Sequence, residues 1–251
     1  MLLLVGKQSP KILNKGYFLK VNIIKGSLRL MLKLFDLSGK NDLRFSPPCW
    51  NVKLCLILNN IEFETIPVRF TEKNKIAFSK QKLVPILDYK EGFVSDSWNI
   101  INWLNENYPE KKIFINNSSK NFSYYLYLWT SRQLLPILFK IIAHEIPSVL
   151  EGDDIDYYIK TREQRISGPI TKFFPHILSY IEDFRKSIDP IRKIIIKNGY
   201  ISGNKPGIED CIFFGNLKWV DVCSSCNLLD DEDPVYKWYK KLLKTANKQI
   251  N

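Results

Sequence analysis

Val84-Pro85-Ile86-Leu87-Asp88-Tyr89-Lys90-Glu91-Gly92-Phe93-Val94-Ser95-Asp96-Ser97-Trp98 carries the topology of the first half of the chain. Two apolar runs flank the polar Lys90-Glu91-Gly92, the pattern of a β-hairpin. Ser95 leads out of the hairpin, and Asp96-Ser97 stands directly before a helical run, Trp98–Asn107. Upstream, Glu72–Ser79 reads as a short helix, and Ile61–Ile66 alternates with the period of a strand. Before these, Phe45-Ser46-Pro47-Pro48-Cys49-Trp50 opens a helix that continues over Asn51–Asn59. Prolines suit a first turn, where the missing N–H had no partner to lose. Leu32–Leu37 supplies the first strand.

The order βαβαββα over residues 31–113 is that of a thioredoxin-like α/β domain. Tyr108-Pro109 and the polar residues 116–120 form a linker. Beyond them only helical periodicity is found, in Tyr124–Ile146, Tyr157–Arg185, Ile191–Lys197, Ile208–Val222 and Val235–Thr245. Residues 120–248 are therefore expected to form an all-helical C-terminal domain.

A chain of 251 residues, 45% hydrophobic and 25% charged, can bury a proper core in each part. Its apolar runs stop short of the ~20 residues that a membrane-spanning helix needs. The net charge of +11 points toward nucleic acid only until it is located. Residues 1–33 hold seven basic residues and no acidic one, so the remainder carries only +4. That is too little for a phosphate-backbone binder. The basic opening, residues 1–30, reads either as a mitochondrial targeting leader or as sequence ahead of a functional start at Met31. The second reading is preferred, because the leader lacks the Arg and Ser richness of transit peptides.

Cys49, Cys55, Cys211, Cys223 and Cys226, with no secretory signal, place the protein in a reducing compartment, the cytoplasm, or in mitochondria if the leader is genuine. Cys223-Ser224-Ser225-Cys226 has no second pair, and the chain's two histidines are His144 and His176, so no metal is expected. Small buried thiols near a helix end, and a structural His144, are the simpler readings.

Three motifs carry chemistry. Ser46 starts a helix whose free N–H groups and dipole favour an anion such as a thiolate; it can equally be a plain N-cap. Val84-Pro85 opens a strand, where a cis bond would present the Val84 backbone to an extended peptide ligand; a trans edge-strand proline is the alternative. Asp96-Ser97 precedes a helix whose first amides can take a carboxylate while Asp96 faces an ammonium group; Ser97 as N-cap explains the pair equally well.

In that order and spacing the three motifs resemble the glutathione site of the glutathione transferases. The C-terminal half adds Gly199-Tyr200-Ile201-Ser202-Gly203-Asn204-Lys205-Pro206-Gly207-Ile208-Glu209-Asp210, similar to the loop and capping motif before the family's central helix, with Gly207 in place of the usual Ser or Thr cap. Phe45-Ser46-Pro47 with Trp50, Thr161-Arg162-Glu163-Gln164-Arg165, Trp219, Asp233-Pro234 and Trp238 resemble the fungal etherase-like members. The resemblance, from about residue 31 to 245, implies the glutathione transferase fold and glutathione as co-substrate without a metal. It further implies a small hydrophobic electrophile as partner, a detoxifying role, a homodimer, and no nucleic acid. It assigns Ser46 to thiol activation, Val84 and Pro85 to the cysteinyl backbone, Asp96 and Ser97 to the γ-glutamyl end, and Lys82 to the glycyl carboxylate. Trp50, Tyr125 and Trp129 are expected in the substrate pocket; of Trp50, Trp98, Trp103, Trp219 and Trp238, one at most should line it.

Conjugation of glutathione to an electrophile, or glutathione-dependent ether cleavage, is the leading expectation. One alternative is a non-catalytic binding or regulatory protein on the same fold. Another is a thiol transferase acting through Cys49, although that position matches the buried second cysteine of an ancestral Cys-x-x-Cys, where an inert packing role is expected.

Overall fold

The computed structural model describes residues 22–24, 27–29, 31–114 and 116–248. The described residues fall into two units, divided between Met31 and Leu32. In the first, β1 (Asn22–Ile24) and β2 (Ser27–Arg29) pair antiparallel. The two readings of the leader otherwise lie outside the described residues.

The second unit opens on a four-stranded sheet of order β4-β3-β5-β6, from β3 (Leu32–Leu37), β4 (Phe63–Val68), β5 (Ile86–Asp88) and β6 (Phe93–Ser95). β3 runs parallel to β4 and antiparallel to β5, and β5 and β6 form the expected hairpin. β4 starts two residues later than its alternation predicts and extends through Pro67. It is an edge strand, so the missing proline donor breaks no ladder. Asp36, next to last in β3 and fully buried, is paired with Lys53 and with Arg44 Nη1 at 3.2 Å. A carboxylate in that position is tolerable only because both cations reach it.

Helix α1 (Pro47–Leu58) is buried nearly all round. A helix so covered belongs at the centre of a core, and α1 lies between α2 (Ser97–Asn107) and α8 (Ile208–Cys223) behind the sheet. Gly215 makes the approach of α8 possible, since a Cβ there would collide with the Pro47 carbonyl and the Asn51 side chain. Turned to suit its neighbours, the Asn51 amide donates to Pro47 O at 2.9 Å and Cys211 O at 3.1 Å, tying the two helices together. Leu56, Ile101, Phe213 and Trp238 share one apolar cluster, so the α/β and helical parts have a common core.

Two long helices predicted from periodicity are interrupted. Tyr124–Ile146 becomes α3 (Asn117–Trp129), a π turn over Thr130–Leu134, and α4 (Leu135–Ile142). Pro136 explains the turn: it cannot donate to the carbonyl four residues back, and its ring crowds that carbonyl. Tyr157–Arg185 becomes α5 (Asp153–Ile166) and α6 (Ile177–Ser187). Ser167 adopts a left-handed φ of 52°, and Pro169 and Pro175 bracket a 3₁₀ turn between the two helices. α7 (Asp189–Asn198) and α9 (Pro234–Lys248) lie close to their expected spans.

Asp210, in the first turn of α8, accepts from the amides of Ile201, Ser202 and Gly207 at 3.0, 3.1 and 3.0 Å and from Trp238 Nε1 at 2.7 Å. One buried carboxylate thus closes the preceding loop, supplies the N3 half of a capping box by taking the Gly207 amide, and anchors α9. Cys223 and Cys226 are free thiols, the first buried and the second half-buried. Among the described residues no cluster of His, Cys, Asp and Glu is placed to hold a metal ion, and no helix is long and apolar enough to cross a membrane.

Candidate functional site

Two contiguous cavities open beside the start of α1. The smaller, about 300 Å³, is walled by Pro47, Pro48 and Asn51 of α1, by Val84 and Pro85, and by the turn Ser95–Ser97. The Val84–Pro85 peptide is cis. Among the described residues the Val84 N–H and C=O have no hydrogen-bond partner, while the Pro85 carbonyl accepts from the Asp96 amide at 3.3 Å.

Asp96, and not Ser97, is the N-cap of α2. Its Oδ1 accepts from the Trp98 and Asn99 amides at 3.0 and 3.1 Å, with its backbone at a φ of 73°. With ψ at 133° this lies outside the left-handed helical region, and it is a strained backbone for a residue with a Cβ. Ser97 becomes the first helical residue, fully buried, its Oγ lying beside the Tyr127 hydroxyl without completing a hydrogen bond. The Tyr127 hydroxyl donates instead to Asp96 Oδ2 at 3.1 Å. Burial, with the Asp96 carboxylate alongside, holds the Tyr127 phenol above its ordinary range. Asn216 of α8 also reaches this cavity, and its buried Oδ1 has no partner. Unsatisfied buried polar atoms are costly, and two of them belong to residues of this one cavity's wall.

Ser46 occupies the N-cap position of α1 in extended backbone, φ −68° and ψ 121°, but its hydroxyl makes no capping hydrogen bond. It lines the larger cavity, about 580 Å³, which shares Pro47, Pro48, Leu83, Val84, Ser131 and Leu135 with the smaller. Cys49, one turn inward, is fully buried and lines neither. Burial first, then Asp36, pushes its thiol well above the usual range, and the Ser46 hydroxyl offsets this only in part. Such a thiol is a packing group, unsuited to exchange chemistry. Lys82 is exposed and outside both walls; the neighbouring Gln81 lines the smaller cavity instead.

The residues expected in the substrate pocket are elsewhere. Trp50 is buried behind α1, with Nε1 donating to the Arg44 carbonyl at 2.7 Å and its ring edge-on to Phe214. Tyr125 is 64% exposed, and Trp129 lines neither cavity. The aromatic surface of the larger cavity comes from Phe45, Phe70, Phe139, Tyr158, Phe173 and Trp219. Trp219 is therefore the one tryptophan that lines it.

Residues 42–112 match the glutathione S-transferase N-terminal domain model, and residues 122–240 match the glutathione S-transferase C-terminal domain model. The chain belongs to the glutathione transferase superfamily. Among solved structures, a glutathione S-transferase of Ceriporiopsis subvermispora in complex with glutathione is similar at 18% identity, with a TM-score of 0.75 over 87% of this chain and 97% of its own. A glutathione transferase of Phanerochaete chrysosporium is similar at 14% identity, with a TM-score of 0.70 over 86% and 97%. At such identities these likenesses speak for the glutathione transferase fold, a thioredoxin-like domain followed by a helical one.

For this superfamily member, reasoning from sequence missed Tyr127, Asn216 and the basic residues of the larger cavity. A signal for the last was present. Tyr158, Arg162, Arg165 and Ile166 recur at i, i+4, i+7 and i+8, one face of α5, and all four line the cavity.

Proposed function

We propose that the chain binds glutathione in the smaller cavity and directs its thiolate at an electrophilic or ether substrate held in the larger one, in the manner of the etherase-like transferases. The observation that carries this reading is the convergence of Val84, Asp96 and Ser97 on one cavity that opens, across Pro47 and Pro48, into a second. The unpartnered Val84 backbone suits the cysteinyl unit of an extended tripeptide. The Asp96 carboxylate suits the γ-glutamyl ammonium, and the N–H and Oγ of Ser97 at the start of α2 suit its carboxylate.

The glutathione sulfur then lies toward the start of α1. There the helix dipole stabilises a thiolate, and the Ser46 hydroxyl donates to it. The thiolate attacks the electrophilic carbon, a C–S bond forms, and the leaving group departs with its bonding pair, with no covalent enzyme intermediate. A homodimer and a cytoplasmic site of action belong to the same proposal. Thiol transfer through Cys49 is set aside, because that sulfur is buried and its pKa raised.

Ser46→Ala tests the chemical step. Glutathione affinity should stay within about twofold, while the bound thiol pKa, read from thiolate absorbance, rises by about one unit and turnover at pH 6.5 falls about tenfold. Unchanged turnover would remove Ser46 from this role. Tight glutathione binding without turnover in the unsubstituted protein would leave the non-catalytic reading in its place.

A further inference from the structure

The last helix has two unlike faces. Val235, Trp238, Tyr239, Leu242 and Ala246 of α9 are buried. Lys237, Lys240, Lys241 and Lys244 are exposed at i, i+3, i+4 and i+7, and so follow one another along a single outer face. At 1.5 Å per residue the stripe is about 10 Å long.

The protein itself neutralises little of this charge. Lys237 Nζ pairs with Glu232 Oε2 at 2.5 Å. Lys240 Nζ lies 5.6 Å from the centroid of the Tyr236 ring and Lys241 Nζ 4.4 Å from that of Tyr200, both tyrosines being half-buried. Among the described residues Lys240, Lys241 and Lys244 make no ion pair. Helix α7, which packs against α9, carries the exposed Lys197 in its last turn, and the loop that follows holds both Tyr200 and the exposed Lys205. Most acids of these segments are engaged elsewhere: Asp189 with Arg192 and Lys193, Asp233 with Arg192, and Asp230 with Arg185. That leaves Asp231, in the turn before α9.

Like charges on one face repel each other and gain from an opposing surface of opposite sign. The make-up of the stripe says which surface. The apolar side of α9 is used up in the core, so this helix can neither sink into a bilayer nor lie apolar face down in a partner's groove. Lysines are compact charges and lack the planar fork that reads one carboxylate or phosphate. No exposed aromatic ring stands in the stripe to stack on a base. What fits is a broad, flat layer of negative charge. We infer that the outer face of α9 docks the protein on an anionic phospholipid surface, held by charge and without insertion. The four lysines line neither cavity, so this is independent of what the cavities bind.

The test is flotation of the full chain with vesicles of phosphatidylcholine alone or with about 30% phosphatidylserine. The protein should float with the anionic vesicles at about 0.1 M salt, be released at about 0.5 M, and stay behind with the neutral ones. Lys237→Gln/Lys240→Gln/Lys241→Gln/Lys244→Gln should weaken binding at least about tenfold. That variant keeps the basic residues 1–33, so the loss assigns the contact to α9. Lys244→Glu alone changes an exposed side chain with no ion pair, so it keeps the test valid if the fourfold variant folds poorly; it should weaken binding at least about threefold. Equal flotation with neutral vesicles, or flotation that survives the fourfold substitution, would overturn the inference. Capture by single-stranded polyuridylate, with none by the anionic vesicles, would overturn it in favour of a nucleic-acid site.

Discussion

The Asp96 carboxylate is divided between two tasks: Oδ1 caps the Trp98 and Asn99 amides, and Oδ2 takes the Tyr127 hydroxyl at 3.1 Å. The first fixes the turn that enters α2, and the second ties that turn to α3 across the smaller cavity. The capping role explains why an acid is accommodated there. The charge is what the proposed ligand uses.

Asp96→Asn separates these tasks. Asn caps a helix about as well as Asp and has nearly the same shape, so the melting temperature should stay close to that of the unsubstituted protein. Glutathione affinity should fall about tenfold or more, because hydrogen bonds to charged groups contribute about 1.5–3 kcal/mol. Calorimetric titration checks it, and undiminished affinity would remove Asp96 from the ammonium site.

Asp210 should be among the most sensitive positions in the helical domain. Asp210→Ala strands three backbone amides and the Trp238 indole N–H, and should cost at least about 3 kcal/mol in urea unfolding. Trp238→Phe removes one of these donors and should cost about 1–3 kcal/mol.

Gly215→Ala should destabilise the protein by about 1–3 kcal/mol, the range for inserting a methyl group into a filled core. The added carbon meets backbone of α1 at Pro47, which has little freedom to retreat. Because Pro47 and Asn51 also wall the smaller cavity, glutathione affinity should fall together with the melting temperature.

The latch between the loop after β4 and the start of α5 gives an acid-sensitive contribution. Burial raises the Asp154 pKa, but the hydrogen bonds from Thr71 and the Arg69 guanidinium outweigh it, and the carboxyl titrates below its ordinary value. A depressed folded value means that this stabilisation is complete above the unfolded pKa of about 3.9 and is lost as pH falls through the folded one. Asp154→Asn should therefore lower the melting temperature at pH 7 and flatten its decline below about pH 4. Parallel acid limbs for the two proteins would contradict this.

What could be read from the sequence depended on the range of the interaction. The hairpin, α1 and the cap before α2 rest on turns, prolines and alternation within a few residues, and these elements are found close to where such signals place them. Pro67 in an edge strand and the breaks before Pro136 and around Pro169 depend on a neighbour in space or on competition within a long periodic run. Periodicity alone passed over them. The substrate walls were least legible. Trp50 and Tyr125 are as aromatic as Phe139 and Trp219, but the packing of α8 on α1 takes Trp50 into the core, and Tyr125 on α3 is left in solvent. Burial likewise decides against Cys49, whose place in the first turn of a helix would otherwise favour a thiolate.

A crystal structure of the protein soaked with glutathione addresses the central claim most directly. The account predicts the tripeptide extended in the smaller cavity, with its γ-glutamyl group at Asp96 and Ser97, its cysteinyl backbone on Val84, and its sulfur within hydrogen-bonding reach of Ser46 Oγ. Glutathione bound elsewhere, or a cavity left without it at saturating concentration, would contradict it.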